Sequence, residues 1–146
     1  MQQHLIMTIN QLQDEIIEEF EGMDEWLDRY AYIIDVGNTL DADESLRVPD
    51  NKIEGCQSDV WIDAALDADG NIVYRADSNS SIVKGIAALL VRVLSGHKPA
   101  DVVGAHLYFI DRIGLSSHLS PTRSNGLLAM RKRMHAYALA LQATAG

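Results

Sequence analysis

The chain has 146 residues and a net charge of −9, a length that suits one domain, 1–146, able to bury roughly two-thirds of its unfolded surface and fold without staples. A single cysteine excludes an internal disulfide, no apolar run reaches the roughly 18 residues of a membrane span, and the start lacks a secretory pattern, so a soluble cytoplasmic protein is expected. The charge is uneven, −11 over residues 1–55 and +2 over the rest; such an acidic half repels phosphate backbones and excludes nucleic acid as a partner, while suiting either a basic protein surface or simple solvation.

Thr8 opens a capping-box pattern with Gln11, and Ile9, Leu12, Ile16, Phe20 and Met23 recur at three and four residues, which predicts an amphipathic helix. Asp24 is placed to cap a second helix, with Trp26, Leu27, Tyr30, Ile33 and Ile34 inward and Gly37 as its stop. The turn-rich run "DADESLRVPDN" then ends the helical period. "DVWIDAAL" and "NIVYRA" read as strands joined at "DADG", whose Asp-Gly pair suits a tight hairpin, and Lys52 and Ile53 can add a short third strand.

The helical period returns at Ser80, with Ile82, Val83, Ile86, Leu89, Leu90 and Val93 on a wide apolar face that ends at Gly96. "KPADVVGA" and "HLYFIDRIG" predict two short helices. In the last segment Ser120 caps, Pro121 starts the first turn, and Leu127, Met130, Met134, Ala138 and Leu141 share a face. Helices, a small antiparallel sheet of about three strands, then helices again make the fold class α+β.

The one sulfur falls in "KIEGCQSDVW", between predicted strands. A lone cysteine is commonly a small buried hydrophobe, but this one follows Gly55 and precedes Gln57 and Ser58, outside any apolar period. One cysteine cannot build a zinc or iron-sulfur site, and His4, His97, His106, His118 and His135 form no close ligand pair, so neither a metal nor another cofactor is expected. A thiol hydrolase would need a base, for which His118 is a candidate. A lone thiol can also accept a sulfur atom and hand it on, with a partner supplying the remaining chemistry.

"GCQSDVW" (Gly55–Trp61), "ADSNSSIVKG" (Ala76–Gly85) and "HLSPTRSNGL" (His118–Leu127), in this order and spacing, resemble the SufE/CsdE family of cysteine desulfurase activators, over roughly Thr8 to Leu141. The resemblance implies a fold like those of SufE and the IscU scaffolds. It also implies a sulfur-transfer accessory role: Cys56 accepts persulfide sulfur from a SufS/CsdA-type cysteine desulfurase, stimulates that enzyme, and passes the sulfur towards iron-sulfur cluster assembly on a SufBCD-type scaffold. The pyridoxal phosphate belongs to the desulfurase, and no turnover without a partner is implied. Gly55, Gln57 and Ser58 would shape the cysteine loop, Arg123 would contact the partner or support the site, and Asp77, Asn79 and His118 would be supporting residues.

Where relatives commonly read Asp-Ser-Asp, this chain reads Asp77, Ser78, Asn79; Asn79 retains an oxygen able to cap the following helix. A binding-only regulator that activates a desulfurase without carrying sulfur is the alternative. Whether the protein forms a homodimer stays open.

Overall fold

The computed structural model describes residues 7–41 and 43–145. The chain runs α1 (Ile9–Glu21), α2 (Trp26–Gly37), two 3-10 turns (Glu44–Leu46 and Pro49–Asn51), β1 (Val60–Leu66), β2 (Ile72–Ser78), α3 (Ser81–Leu94), α4 (Pro99–Val103), α5 (Phe109–Arg112), α6 (Leu115–His118) and α7 (Pro121–Ala145). It is an α+β fold, helices packed around one antiparallel hairpin.

The capping box forms in full: the Thr8 hydroxyl accepts from Gln11 N at 3.0 Å, and the Gln11 side chain accepts from Thr8 N at 2.8 Å. From there α1 buries Ile9, Ile16, Ile17 and Phe20. It also buries Gln13, whose amide is satisfied by donating to His106 O and accepting from Phe109 N, tying α1 to the segment leading into α5.

The second helix departs from its sequence pattern. Its cap is Glu25 rather than Asp24, with no side-chain hydrogen bond, and Leu27 points outward, 80% exposed. Only Ile33 and Gly37 are fully buried, because the contact with α3 is made backbone to backbone. A Cβ on Gly85 would lie 2.0 Å from the Ile33 carbonyl oxygen, and one on Gly37 would lie 2.7 Å from Gly85 N. Two facing glycines thus set how closely α2 and α3 cross.

The hairpin pairs Val60 with Ser78 through Leu66 with Ile72. The expected third strand is reduced to one bridge, Lys52 to Trp61, plus the Ile53 N to Val60 O bond at 2.8 Å. Gly55 explains the shortening: its φ of +89° turns the chain away from the sheet directly after Ile53. On the inner face Ile62, Ile72, Tyr74 and Ala76 meet α3 and α7, and the buried Tyr74 hydroxyl donates to Met134 O. The apolar face expected of α3 is buried throughout, as are Leu127, Met130, Met134 and Ala138 of α7.

Candidate functional site: a thiol seated against the start of the last helix

Cys56 lies between the anchored Ile53 and the first residue of β1, on the loop whose turn Gly55 makes. Its side chain is turned inward. Sγ is 3.7 Å from the Gly126 carbonyl oxygen, to which the thiol donates, and a Cβ on Gly126 would sit 3.5 Å from the sulfur. That is ordinary contact distance, so the sulfur packs closely against this stretch of the helix without Gly126 being required for the fit.

Around the sulfur is a cavity of about 220 Å³. Val83 and Ile86 of α3 and Leu127 and Met130 of α7 form its apolar walls; Gln57, Ser58, Ser120, Thr122 and Arg123 supply its polar lining. Burial pushes the Cys56 thiol pKa up from its ordinary value, because an apolar wall solvates a thiolate poorly. In this position the half-buried thiol favours its protonated form, the less nucleophilic one.

The other residues singled out from the sequence divide into two groups. Gly55, Gln57, Ser58 and Arg123 are at the cavity or its loop. Arg123 is exposed on the first turn of α7; its Nη1 donates to the Tyr30 hydroxyl at 3.4 Å, and it makes no ion pair with a carboxylate among the described residues. Its charge is left facing solvent beside the cavity.

Asp77, Asn79 and His118 line no part of the cavity. Asp77 is 1% exposed and accepts from Arg47 Nε at 2.8 Å, with Lys84 Nζ at 3.7 Å. Arg47 in turn lies over the Trp61 ring, 4.8 Å from its centroid, so Arg47 fastens the segment before the cysteine loop to both strands of the hairpin, through Asp77 of β2 and Trp61 of β1.

Asn79 does not cap α3. Ser80 does, its hydroxyl accepting from Val83 N, while the Asn79 side chain turns to Asp59 at the end of the cysteine loop. His118 stacks on Trp26 with ring centroids 4.3 Å apart, and its Nδ1 lies 2.9 Å from Gly114 O and 3.1 Å from Ser117 Oγ. The ring is held on the α2 side of the fold. His4 lies outside the described residues.

No three His, Cys, Asp or Glu side chains converge as metal ligands among the described residues. Arg47, Lys84 and Gly126 were missed by sequence reasoning. Lys84, Gly85 and Gly126 did fall within the quoted motifs, but Gly85 and Gly126 meet Ile33 and Cys56, tens of positions away, and the Asp77 carboxylate beside Lys84 is shared with the distant Arg47.

The profile of the SufE family, described as an Fe-S metabolism associated domain, matches residues 14–138. The chain belongs to the SufE family. SufE-like protein 1 of Arabidopsis thaliana, a chloroplastic/mitochondrial protein, is 40% identical over 129 residues; the match covers 88% of this chain but only 35% of that one, so the chain spans about a third of the plant protein. Uncharacterized SufE-like proteins of Rhizobium meliloti and Rhizobium etli are 35% and 39% identical, and the matches cover 90% and 85% of their lengths. The solution structure of a hypothetical protein from Thermus thermophilus superposes with a TM-score of 0.72 at 20% identity, covering 89% of this chain and 95% of that one, and shows the same fold. Membership in the family associates the domain with iron-sulfur metabolism.

Proposed function

We propose that this SufE-family chain is a sulfur acceptor: it takes persulfide sulfur from a SufS/CsdA-type cysteine desulfurase onto Cys56, stimulates that enzyme, and delivers the sulfur to iron-sulfur cluster assembly on a SufBCD-type scaffold. The observation that carries the reading is the seating of the chain's only thiol in a cavity walled on one side by Val83, Ile86, Leu127 and Met130, at a glycine-turned loop. The step is a thiol exchange. The Cys56 thiolate attacks the outer sulfur of the donor persulfide, a new S–S bond forms on Cys56, and the donor cysteine leaves as its thiolate; no oxidant is consumed.

The cavity suits the resting carrier. A persulfide in open water loses its sulfur to passing thiols, whereas apolar walls keep thiolates out. Accepting sulfur requires the reverse, a solvated and ionised Cys56, so docking must favour a loop swung outward over the seated one. Arg123 stands beside the cavity with a free charge and can favour the emerging thiolate or meet a carboxylate of the donor. A free-standing thiol hydrolase fits less well, because among the described residues no His, Asp or Glu lines the cavity to act as a base. The thiol chemistry calls for a reducing compartment, and we place the protein in the cytoplasm.

The test is desulfurase turnover with cysteine as substrate, in the presence of this protein or of Cys56→Ser. A carrier stimulates turnover and loses the effect with Cys56→Ser, because serine cannot form a persulfide. Stimulation undiminished by Cys56→Ser would assign the chain to binding-only regulation.

A further inference from the structure

Four residues of α7 at successive turns, Gly126, Met130, Arg133 and Tyr137, fall on one stripe of the helix. Gly126 meets the Cys56 sulfur, and Met130 walls its cavity. Arg133 reaches the segment before the cysteine: Nη1 donates to Asp50 O at 3.2 Å and Nη2 to Lys52 O at 2.9 Å. Tyr137 donates to Ile62 O of β1 at 3.0 Å, and its ring lies 5.7 Å from the Arg133 guanidinium carbon.

We propose that Arg133 is a positioning residue for the Cys56 reaction, a clamp that sets the register of the cysteine loop along α7 so that the thiol seats opposite Gly126. This rests on the sulfur-acceptor reading. A planar guanidinium that engages two carbonyls fixes both the place and the orientation of residues 50–52, whatever their side chains. Just beyond, Ile53 N bonds Val60 O, and Lys52 pairs with Asp59 at 3.1 Å, closing the neck of the loop. Only residues 54–58 are then free to swing, with Gly55 as hinge. Cys56 lies three residues from the Ile53 anchor, so its reach is on the order of 10 Å. With so short a tether, an anchor displaced along α7 takes the sulfur out of its seat.

The experiment measures alkylation of Cys56 against pH in the full chain, comparing wild type with Arg133→Met, Arg133→Lys and Arg131→Met. Arg131 lies one turn from Leu128 in a groove on another side of α7 and serves as the control. Arg123, the one charged side chain lining the cavity, is common to all four proteins. Arg133→Met is expected to react about tenfold faster near neutral pH, with a pH profile moved towards an ordinary thiol as the sulfur leaves its seat for solvent. Arg133→Lys, keeping a donor but not the fork, is expected between Met and wild type, and Arg131→Met at the wild-type rate.

A folded Arg133→Met with the wild-type rate and profile overturns the clamp, as does equal acceleration by Arg131→Met. If Arg133→Met fails to fold, Arg133→Lys decides: faster than wild type supports the clamp, and an unchanged rate overturns it. Alkylation needs no sulfur donor. Failure of wild-type Cys56 to take sulfur would therefore remove the acceptor reading while leaving the clamp's result readable on its own.

Discussion

Asn79 and Asp59 hold each other by three hydrogen bonds, Asp59 N to Asn79 Oδ1 at 3.1 Å, Asn79 Nδ2 to Asp59 Oδ2 at 3.1 Å, and Asn79 N to Asp59 O at 3.2 Å. The amide is suited to this place, since it gives a donor to the carboxylate and an acceptor to the main-chain N–H at once. The pair joins the end of the cysteine loop to the residue before the α3 cap.

Asn79→Asp is expected to loosen that junction by setting two carboxylates face to face. The loss is about 1 kcal/mol near neutral pH, a Tm lower by a few degrees. Like charges raise carboxyl pKa values, so the folded-state proton is bound more readily than in the unfolded chain, and the deficit should shrink as pH falls through the carboxylate range. Thermal melts of both proteins from pH 4 to 8, on the order of the Asp and Glu range and above it, check this.

Gly85→Ala should destabilise the fold without touching the thiol. A methyl group 2.0 Å from the Ile33 carbonyl forces α2 and α3 apart, and overpacking of this kind costs about 1–3 kcal/mol, with more expected where backbone is the obstacle. Denaturant titration reads the loss; Cys56 alkylation in the protein that remains folded is expected to be unchanged.

The acidic half is divided between fold and surface. Arg92 of α3 binds Glu15 and Glu19 of α1, and the Tyr108 hydroxyl donates to Asp14. The Arg92 hydrogen bonds hold the Glu19 carboxyl below its ordinary pKa of 4.5. A depressed carboxylate stabilises the fold above the unfolded value and loses that contribution as pH falls through the folded one. Glu19→Gln should therefore lower Tm at neutral pH, and the gap to wild type should close below about pH 4. Because the site is partly solvated, the gap is expected to be modest.

Glu18, Glu21, Glu25 and Asp28 are exposed and make no ion pair among the described residues, and the exposed Leu27 lies among them. If this face steers docking, changing the four to amides should slow association with the desulfurase and flatten its salt dependence, since such charges act within about 8 Å at physiological salt. Arg123→Ala should instead weaken activation with little change in salt dependence of the on-rate. Stopped-flow association at several salt concentrations separates the two.

Sheltering of Cys56 predicts slow alkylation in the free protein, since burial both covers the thiol and raises its pKa. Adding a desulfurase whose own nucleophilic cysteine has been replaced should accelerate the reaction, because that partner selects the outward loop without consuming it. Free protein reacting as fast as an exposed model thiol, with no acceleration by the partner, would contradict the seated state.

Helix periods, the Thr8 capping box, the hairpin and the apolar helix faces that carry Val83, Ile86, Leu127 and Met130 were legible because each is a local pattern of spacing. The sulfur's loop placement was legible from Gly55 and its polar neighbours. What escaped was set by distant partners. Leu27 follows a helical apolar period yet faces out, because α2 meets α3 through glycine and Ile33 rather than through a wide apolar stripe. Asn79 has capping chemistry, but Asp59, 20 residues earlier, competes for its side chain and Ser80 takes the cap. The short α6 has no period of its own; Gly114, at φ +88°, redirects the chain between it and α5. Asp77 was legible as a charge, whereas its burial under Arg47 and Lys84 depends on a segment 30 residues away.

The most direct test of the acceptor reading is the mass of the Cys56 peptide after the full chain, a SufS-type desulfurase and cysteine are incubated together and digested without reductant. The account predicts one added sulfur atom on that peptide, removed by a small thiol and absent when cysteine or the desulfurase is omitted. A Cys56 peptide of unchanged mass, while the desulfurase itself turns over, would contradict it.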